Sequence, residues 1–318
     1  MSAKAATHRN CEWPLPQKPA KSYTFRAPFL RPKPDRKPMT IAAAFKYQNG
    51  ILLTTDTQHT YPGMMKLSRP KLIQLDFPEH DAKIAIAIAG DVSFATMAAE
   101  DIERALPAKG FSQESVQNCI REVVLDTFQK HILPFNKMEY SFDLLCAVWT
   151  KAEGLQLFQT NQTSITVAKD YGLIGLGLYL AQFLSEPYYS AMKTRDEAFM
   201  FAVDTLRKVK AHVDGCGGNT DVLWLEDDGT WKKVWSLEVE STEQFSKDFG
   251  DMAEALVRVA SDMSLEESEI DEYIEVLRGE LHGIRILQRA RLAKYANVLK
   301  TTQASMLRAS EVLRKQKQ

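Results

Sequence analysis

The sequence contains no long hydrophobic run, and this absence argues against a membrane-spanning helix, which needs about 20 predominantly apolar residues. The opening stretch, MSAKAATHRNCEWPLP, lacks the apolar core of a secretory signal peptide. Charge is nearly balanced, with 40 Lys and Arg against 41 Asp and Glu and a formal net charge of -1. No overall basic field therefore favours nucleic acid. We expect a protein with neither a membrane nor a nucleic-acid partner.

Cysteine is also scarce. The chain has four, at positions 11, 119, 146 and 216, and none forms a CxxC pair. Disulfide frameworks and structural zinc sites need closely spaced cysteines or histidines, so this spacing favours neither. We predict no metal and no cofactor, and a reducing cytoplasm as the compartment.

Proline is unevenly distributed, and this divides the chain into three parts. Seven of the 13 prolines fall within residues 1–38, together with nine Lys or Arg and two acids. That composition predicts a disordered or extended arm over 1–38, with a basic tail or a removable propeptide as the alternative. From about residue 240 to the end there is no proline at all.

Residues 39–239 alternate between strand-like and helix-like patterns. IAAAFKY and ILLTTD flank Asn49-Gly50, a strong hairpin signal, and KIAIAIAG is apolar enough for a strand buried on both faces. Two helical stretches follow, 92–106 and 112–131, then the strands FDLLCAVWT, LQLFQT and ITVAKDYGLIG. Helices over 178–192 and 195–213 precede two last strands, DVLWL and KKVWSL. This order predicts an α+β domain in which two antiparallel sheets pack face to face, with a helix pair on each outer face.

Residues 240–318 carry a helical pattern throughout. Apolar residues step by three and four residues, first along Phe245 to Val259 and then along Ile270 to Ile284, and Ser264 with Glu267 matches a capping box. After a phase slip, the stepping resumes at Leu292. The pattern predicts a helical hairpin or a coiled-coil extension. It would pack onto the main domain, or serve as an oligomerisation or partner-docking arm.

The segment from Thr40 through IAAAFKYQNGILLTTD, with RPKLIQL, IAIAIAGD and CGGNTDVLWLEDDG, resembles a proteasome β-type subunit of the N-terminal-nucleophile (Ntn) hydrolases. The resemblance covers roughly residues 40–237. It implies the four-layer αββα sandwich of that family, and a threonine-nucleophile amidohydrolase, most simply a peptidase, within a ring or smaller homo-oligomer. It also implies a peptide or amide substrate and allows for an ATPase unfoldase partner.

The resemblance also implies a set of catalytic residues. Thr40 matches the nucleophile, whose free α-amine acts as the base, because a threonine hydroxyl is a weak nucleophile that needs a base beside it. Asp56 and Lys71 match the buried carboxylate and lysine that accompany the threonine. Gly90 matches the glycine whose amide supplies the oxyanion hole. Thr60 and Val92 lie near positions that line the substrate cleft.

Two positions depart from the family pattern. The family's supporting serine falls at Leu176, which has no hydroxyl, and its supporting aspartate falls at Val213. Asp214 is one residue away and would substitute only if the loop shifts. Asp91 also stands where many members have a small residue. The resemblance therefore leaves three functions open: a threonine peptidase, a small-molecule amidase, and a catalytically inactive structural or interaction subunit.

These functions differ on whether Thr40 becomes an N-terminus. Precursors in the family commonly have glycine before the threonine, whereas this chain has Met39. Met-Thr is what a translation start would look like, so we consider the hypothesis that the functional chain begins at Met39. Residues 1–38 would then be an over-extended start; otherwise they would form a blocking arm.

Overall fold

The computed structural model of the chain describes residues 40–60, 66–135, 140–187, 189 and 194–315. The predicted arm over residues 1–38 lies outside these ranges. The described residues form twelve strands and six α-helices. The first half contains β1 (Ile41–Tyr47), β2 (Gly50–Asp56), β3 (Gln58–Thr60), β4 (Lys66–Ser68), β5 (Leu72–Phe77), β6 (Ala82–Gly90), α1 (Val92–Lys109) and α2 (Gln113–Thr127).

The second half contains six further strands and four helices, of which the last two are long. In chain order they are β7 (Phe142–Thr150), β8 (Gly154–Asn161), β9 (Ser164–Val167), β10 (Tyr171–Gly175), α3 (Leu178–Ser185), α4 (Arg195–His212), β11 (Thr220–Glu226), β12 (Trp231–Lys233), α5 (Ser236–Ser261) and α6 (Glu267–Lys315).

Ten of the strands build two antiparallel sheets of five. The first has the order β10-β1-β2-β11-β12 and the second β5-β6-β7-β8-β9. A two-residue turn at Gln48-Asn49 joins β1 to β2, so that Tyr47 pairs with Gly50 and Ala42 with Thr55. The hairpin that the Asn-Gly signal predicts is therefore present, although the turn lies one residue earlier and Gly50 is the first residue of β2. Strands β3 and β4 pair with each other as a small separate ribbon.

Three apolar layers hold the sheets and helices together. Small and branched residues such as Ala42, Leu53, Ala87 and Leu145 fill the space between the two sheets. The outer face of the second sheet packs against α1 and α2, and the outer face of the first packs against α3, α4 and the start of α5. The predicted four-layer αββα sandwich is thus the observed architecture.

The two long helices at the end of the chain extend the fold. α5 lies along α4 and β11 through polar contacts: Glu243 accepts hydrogen bonds from Lys210 of α4 and from Thr220 of β11, each at 2.7 Å. α6 then turns back along α5, with the Ser241 hydroxyl 2.8 Å from the side-chain oxygen of Gln288. None of the helices within the described ranges is both long and apolar enough to cross a membrane.

The structure corrects several local predictions. ITVAKDYGLIG is two strands, because the chain crosses from the second sheet in β9 to the first sheet in β10. KKVWSL is strand only at its start, since α5 begins at Ser236. The Ser264–Glu267 capping box is wrong: the Ser264 hydroxyl donates to Asp262 at 2.6 Å, and Glu269 instead accepts from the amide of Glu266 at 2.8 Å.

Candidate active site

Thr40 lies at one end of the strands of the first sheet, immediately before β1. Because β1 and β2 pair as a hairpin, the start of β1 lies beside the end of β2, where Asp56 is the last residue. The Thr40 hydroxyl donates a hydrogen bond to Oδ1 of Asp56, and the amide of Ile41 donates to the same oxygen at 3.2 Å. The hairpin geometry alone therefore brings the predicted nucleophile to the predicted carboxylate.

Asp56 is fully buried, and each of its oxygens has a donor. Oδ1 accepts from Thr40, Ile41 and Lys71, while Oδ2 accepts from the amide of Gly217 at 2.9 Å. A buried carboxylate is tolerated only where it is paired and hydrogen-bonded. Asp56 is therefore held in one orientation by groups from three separate parts of the chain.

Lys71 comes from the second sheet, one residue before β5, and it is only 2% exposed. Its Nζ lies 2.7 Å from Oδ1 of Asp56 and 2.7 Å from the carbonyl oxygen of Gln58, and it also donates to Oγ1 of Thr40. Burial lowers the pKa of Lys71 below its ordinary value, although the charge of Asp56 and its hydrogen bond oppose this. The ammonium thus touches the hydroxyl oxygen of Thr40 directly.

The loop after α4 closes the site from a third side. The amide of Gln58 donates to the Gly217 carbonyl at 3.0 Å, and the amide of Thr57 donates to the Asn219 carbonyl at 2.9 Å. These two bonds join the loop to the chain just after Asp56. They explain how the amide of Gly217 comes to point at Oδ2 of that residue.

Cys216, in the same loop, is buried beside the three polar side chains. Burial raises the pKa of its thiol to about 12, and the nearby charge of Asp56 adds to this, while Lys71 and the Gly177 amide act in the opposite direction. A thiol with so high a pKa is protonated at neutral pH, and only the thiolate is a good nucleophile. The environment therefore disfavours Cys216 as the reactive group.

Gly90 ends β6 opposite Phe142, with φ of +97°. A Cβ at this position would lie 2.6 Å from the Cα of Phe142 and would also meet the Ser141 carbonyl. Only glycine suits this backbone conformation and this close approach. Ile88, two residues earlier on β6, donates its amide to the Lys71 carbonyl at 3.0 Å, so the end of β6 lies near the site.

Asp91 and Val92 begin the helix that follows Gly90. The Asp91 carboxylate accepts hydrogen bonds from the amides of Ser93 at 2.9 Å and Phe94 at 3.1 Å, which makes it the N-cap of α1. This capping explains an aspartate where the family often has a small residue. Val92 is half-buried at the first position of α1.

Thr60 ends β3, where its backbone pairs with Lys66. His59, beside it, is half-buried. Burial lowers the pKa of His59, and the positive charges of Lys71 and Arg69 lower it further, against opposing effects of Asp91 and Asp56. A histidine next to one acid is usually structural, and His59 lies on the short strand β3.

The two departures from the family pattern appear clearly in the structure. Leu176 is 40% exposed. Val213 is half-buried at the end of α4, and Asp214 is exposed. Within the described residues, Asp214 forms no hydrogen bond or ion pair with Thr40, Asp56 or Lys71. The loop shift that would let Asp214 replace the missing aspartate is not present.

Of the residues that the family pattern predicts, Thr40, Asp56 and Lys71 contact one another, whereas the backbone groups around them have no counterpart in the sequence prediction. The carbonyl of Gln58 and the amide of Gly217 were not predicted, and neither was the thiol of Cys216 beside the charged pair. The Cys216-Gly217-Gly218 stretch carried a signal for them, because a glycine pair allows close backbone approach. Within the described part of the chain, no cluster of three or more His, Cys, Asp and Glu could hold a metal ion.

Comparisons with known proteins point to one family. The family model for proteasome subunits matches residues 39–225. Among solved structures, Anbu (ancestral beta-subunit) from Yersinia bercovieri is 16% identical, with a TM-score of 0.59 over 72% of this chain and 99% of its own. A Gly-1 mutant of Anbu from Hyphomicrobium sp. strain MC1 is 14% identical, with a TM-score of 0.58 over 69% and 99%.

A third similar structure is described as a helical assembly of the Anbu complex from Pseudomonas aeruginosa. It is 12% identical, with a TM-score of 0.57 over 68% of this chain and 96% of its own. No curated protein matched in sequence. At these identities the structural likeness concerns the fold, and the family model carries the family assignment.

Proposed function

We propose that this chain, which belongs to the proteasome subunit family, is a threonine-nucleophile amidohydrolase that cleaves peptide bonds within a homo-oligomer. The single observation that carries the proposal is the contact of the Thr40 hydroxyl with Lys71 and Asp56. All three side chains are at most 2% exposed. Burial of charged groups costs free energy that well-packed apolar residues would not, so stability alone does not explain this cluster. An alanine at any one of the three positions would leave the remaining buried polar groups without a partner.

The proposed reaction begins with transfer of the Thr40 hydroxyl proton to the α-amine of the same residue. An α-amine has an ordinary pKa of about 7.7–8.0, which suits a base at neutral pH. The Lys71 ammonium stabilises negative charge on Oγ1 as it forms, and Asp56 orients the ammonium. Oγ1 then bonds to the substrate carbonyl carbon.

The tetrahedral intermediate carries a negative oxygen, for which the amide of Gly90 is the proposed donor. The intermediate collapses when the C–N bond breaks and the leaving amine takes the proton held by the α-amine. The acyl group remains on Thr40 as an ester. Water then attacks this ester with the α-amine again acting as base, and the carboxylic product leaves with the threonine regenerated.

This chemistry requires a free amine on Thr40, because a peptide nitrogen cannot act as a base. The test is a chain that begins at Thr40, compared with the same chain carrying one extra glycine before it. We expect the first to hydrolyse fluorogenic peptide amides and the second to be inactive. A peptide β-lactone should acylate Thr40, detected as a mass increase on the N-terminal peptide.

Thr40→Ala should abolish turnover and Thr40→Ser should retain part of it. Equal turnover by Thr40→Ala would reject the nucleophile. N-terminal sequencing of the natively produced protein would then establish whether Thr40 is exposed in the cell. Small-molecule amides assayed beside peptides distinguish the peptidase from an amidase of the same mechanism.

A non-catalytic role is the second candidate, and the departures at Leu176 and Val213 favour it. These positions lack the supporting hydroxyl and carboxylate of the family, and Asp214 is exposed. In that case the chain is a structural or interaction subunit. Inactivity of the protein with a verified free Thr40 would favour this role over the enzyme.

The homo-oligomer is supported by the family and by the helical assembly described for the Pseudomonas aeruginosa relative. The native mass, measured by light scattering, tests it. An ATPase unfoldase partner and a cytoplasmic location stay predictions from the family resemblance and the composition.

A further inference from the structure

The longest helix of the chain extends well beyond the helix on which it packs. α6 has 49 residues and is therefore about 74 Å long, at 1.5 Å per residue. Ser241 meets Gln288, and α5 begins at Ser236, only five residues earlier. Since the two helices run in opposite directions, α5 can accompany α6 only to about residue 293. We refer to residues 294–315 of α6 as the overhang.

The overhang is basic, whereas the hairpin that precedes it is acidic. Residues 248–280, which form the end of α5, the turn and the start of α6, contain eleven Asp or Glu and two Arg. Both arginines are already engaged within their own helices, Arg258 with Glu254 at 2.6 Å and Arg278 with Glu275 at 3.1 Å. The overhang, residues 294–315, contains five Lys or Arg and one Glu. We call residues 248–280 the acidic tip.

The acidic tip also has an apolar groove between its two helices. The groove is about 410 Å³ in volume, and its apolar lining includes Val259, Leu265, Tyr273 and Val276. Tyr273 is 48% and Val276 55% exposed, so this lining is open to solvent in the single chain. A groove between two helices is a common docking place for a third amphipathic helix.

The sequence of the overhang has the pattern that such a groove accepts. Leu299, Met306 and Leu313 recur at intervals of seven, as in a coiled-coil seam. The 22-residue overhang would be about 33 Å long, and the part of α6 from Glu267 to Gln288 has the same length. An antiparallel register that sets Ile270 opposite Leu313 also sets Leu277 opposite Met306 and Ile284 opposite Leu299.

We propose that the overhang of one copy of this chain docks in the groove of the acidic tip of a second copy. The overhang of the second copy docks in the same way in the groove of the first. A twofold axis near residue 291 of α6 generates both contacts at once, as expected for a symmetric dimer. Charge selects this register, because pairing the two overhangs with each other would set basic residues against basic residues. The proposal is independent of any activity of Thr40.

Charge reversal in the full-length chain provides the first test. One variant carries Lys300→Glu, Arg308→Glu, Arg314→Glu and Lys315→Glu in the overhang, which gives the overhang a negative net charge. The other carries Asp251→Lys, Glu266→Lys, Glu267→Lys, Asp271→Lys, Glu272→Lys and Glu280→Lys in the acidic tip, where all six positions are exposed and the reversals give the tip a positive net charge. Each variant alone should lose self-association through α6 by at least about tenfold, because its overhang and tip then have charges of the same sign.

A 1:1 mixture of the two variants should associate again, because each overhang then meets a tip of opposite charge. A tip variant whose association persists but is lost on deletion of residues 294–318 would overturn the proposal, since its overhangs would then be pairing with each other. A mixture that stays dissociated while both variants keep wild-type circular dichroism would overturn it as well. Lys130→Glu with Lys151→Glu, on exposed residues of the main domain, is the control and should leave association unchanged.

A disulfide cross-link distinguishes this contact from any other association of the main domain. Ile274 and Ala309 are 35 residues apart on one helix, about 52 Å, so they cannot bridge within a chain. In the proposed register Ile274 of one copy lies opposite Ala309 of the other. Ile274→Cys/Ala309→Cys should form disulfide-linked dimers on mild oxidation, and each single substitution should not. Absence of the linked dimer from the double variant would overturn the register.

Discussion

The Nζ of Lys71 lies 2.7 Å from Oδ1 of Asp56, and the two side chains are 2% and 0% exposed. They come from different sheets, since Asp56 ends β2 and Lys71 precedes β5. This ion pair therefore joins the two sheets at the strand ends beside Thr40. Removing a buried charge from such a pair leaves its partner unpaired in a medium that solvates it poorly.

We expect Lys71→Met to reduce the free energy of unfolding by about 3–5 kcal/mol, because Asp56 then remains buried without its counter-charge. Lys71→Met/Asp56→Asn should lose less than the single variant, since no net charge is left inside. Lys151→Met is the matched control: its pair with Asp81 at 3.0 Å is exposed and should be worth at most about 1 kcal/mol. Urea unfolding measures all three, and a Lys71→Met loss no larger than the control would contradict the argument.

Gly175 provides a second prediction, because it supports Thr40 from β10. Its φ is +94°, and a Cβ there would collide with the Thr40 carbonyl. Gly175→Ala should therefore displace Thr40, lower the thermal midpoint and remove turnover of the Thr40-initiated chain. Gly154→Ala is the matched control. Gly154 also has positive φ, +73°, but no atom of the described residues lies within 4 Å of the point that its new methyl group would occupy.

The control should show only the backbone cost of about 1–2 kcal/mol per residue for a side chain in the left-handed region. Turnover should be unaffected in Gly154→Ala, since Gly154 begins β8, just after the turn from β7. A Gly175→Ala protein with normal activity would mean that the position of Thr40 tolerates movement.

The sandwich could be predicted from the sequence because its signals were local and repeated. Asn49-Gly50 marks a hairpin that any context would favour, and the nearly all-apolar KIAIAIAG suits only a strand covered on both faces. The ITVAKDYGLIG stretch was misread because strand propensity does not reveal that the chain leaves one sheet for the other. That change of sheet depends on packing between residues distant in sequence.

In the candidate site, too, some features could be predicted from the sequence and others could not. Thr40, Asp56 and Lys71 could be matched by counting along a family pattern. The donors that hold Asp56, notably the Gly217 amide, could not, because backbone groups have no signature of their own in a sequence. The exposure of Asp214 depended on a loop conformation that the sequence left open.

His59 should make stability depend on pH. Burial and the nearby charges of Lys71 and Arg69 hold its pKa below the ordinary value of 6.5, with Asp91 and Asp56 opposing them. The unfolded chain therefore binds this proton more readily, so the free energy of unfolding falls as the pH drops below about 6.5 towards the folded-state pKa. His59→Gln should lose less stability over that range. Equal pH dependence of the two proteins, by urea unfolding, would contradict the assignment.

Asp204 should control how firmly α5 is held against α4. Burial would raise its pKa, but hydrogen bonds from Lys208, Ser246 and Arg207 outweigh this and keep the pKa below its ordinary value. Its stabilisation is therefore present above about pH 4 and is lost as the pH falls through the lowered pKa. Asp204→Ala should cost about 1–3 kcal/mol and raise hydrogen exchange in α5. Asp196→Ala, at an 88% exposed side chain on the same helix, is the control and should leave exchange in α5 unchanged.

Cys216 separates the proposed threonine chemistry from a cysteine alternative. With its pKa raised to about 12, the thiol should be almost wholly protonated at pH 7. We expect iodoacetamide to label Cys216 slowly in the folded protein and quickly after unfolding. Cys146, buried in β7 with a pKa also raised to about 12, is the internal reference and should be labelled at a similarly low rate.

Turnover by the Thr40-initiated chain should survive the iodoacetamide treatment, because Cys216 supplies no nucleophile. Cys216→Ala should likewise keep most of the activity that Thr40→Ala removes. Rapid labelling of Cys216 with parallel loss of turnover would instead indicate that the thiol is the nucleophile. Lys71 and Asp56 would then act on Cys216 and not on Thr40.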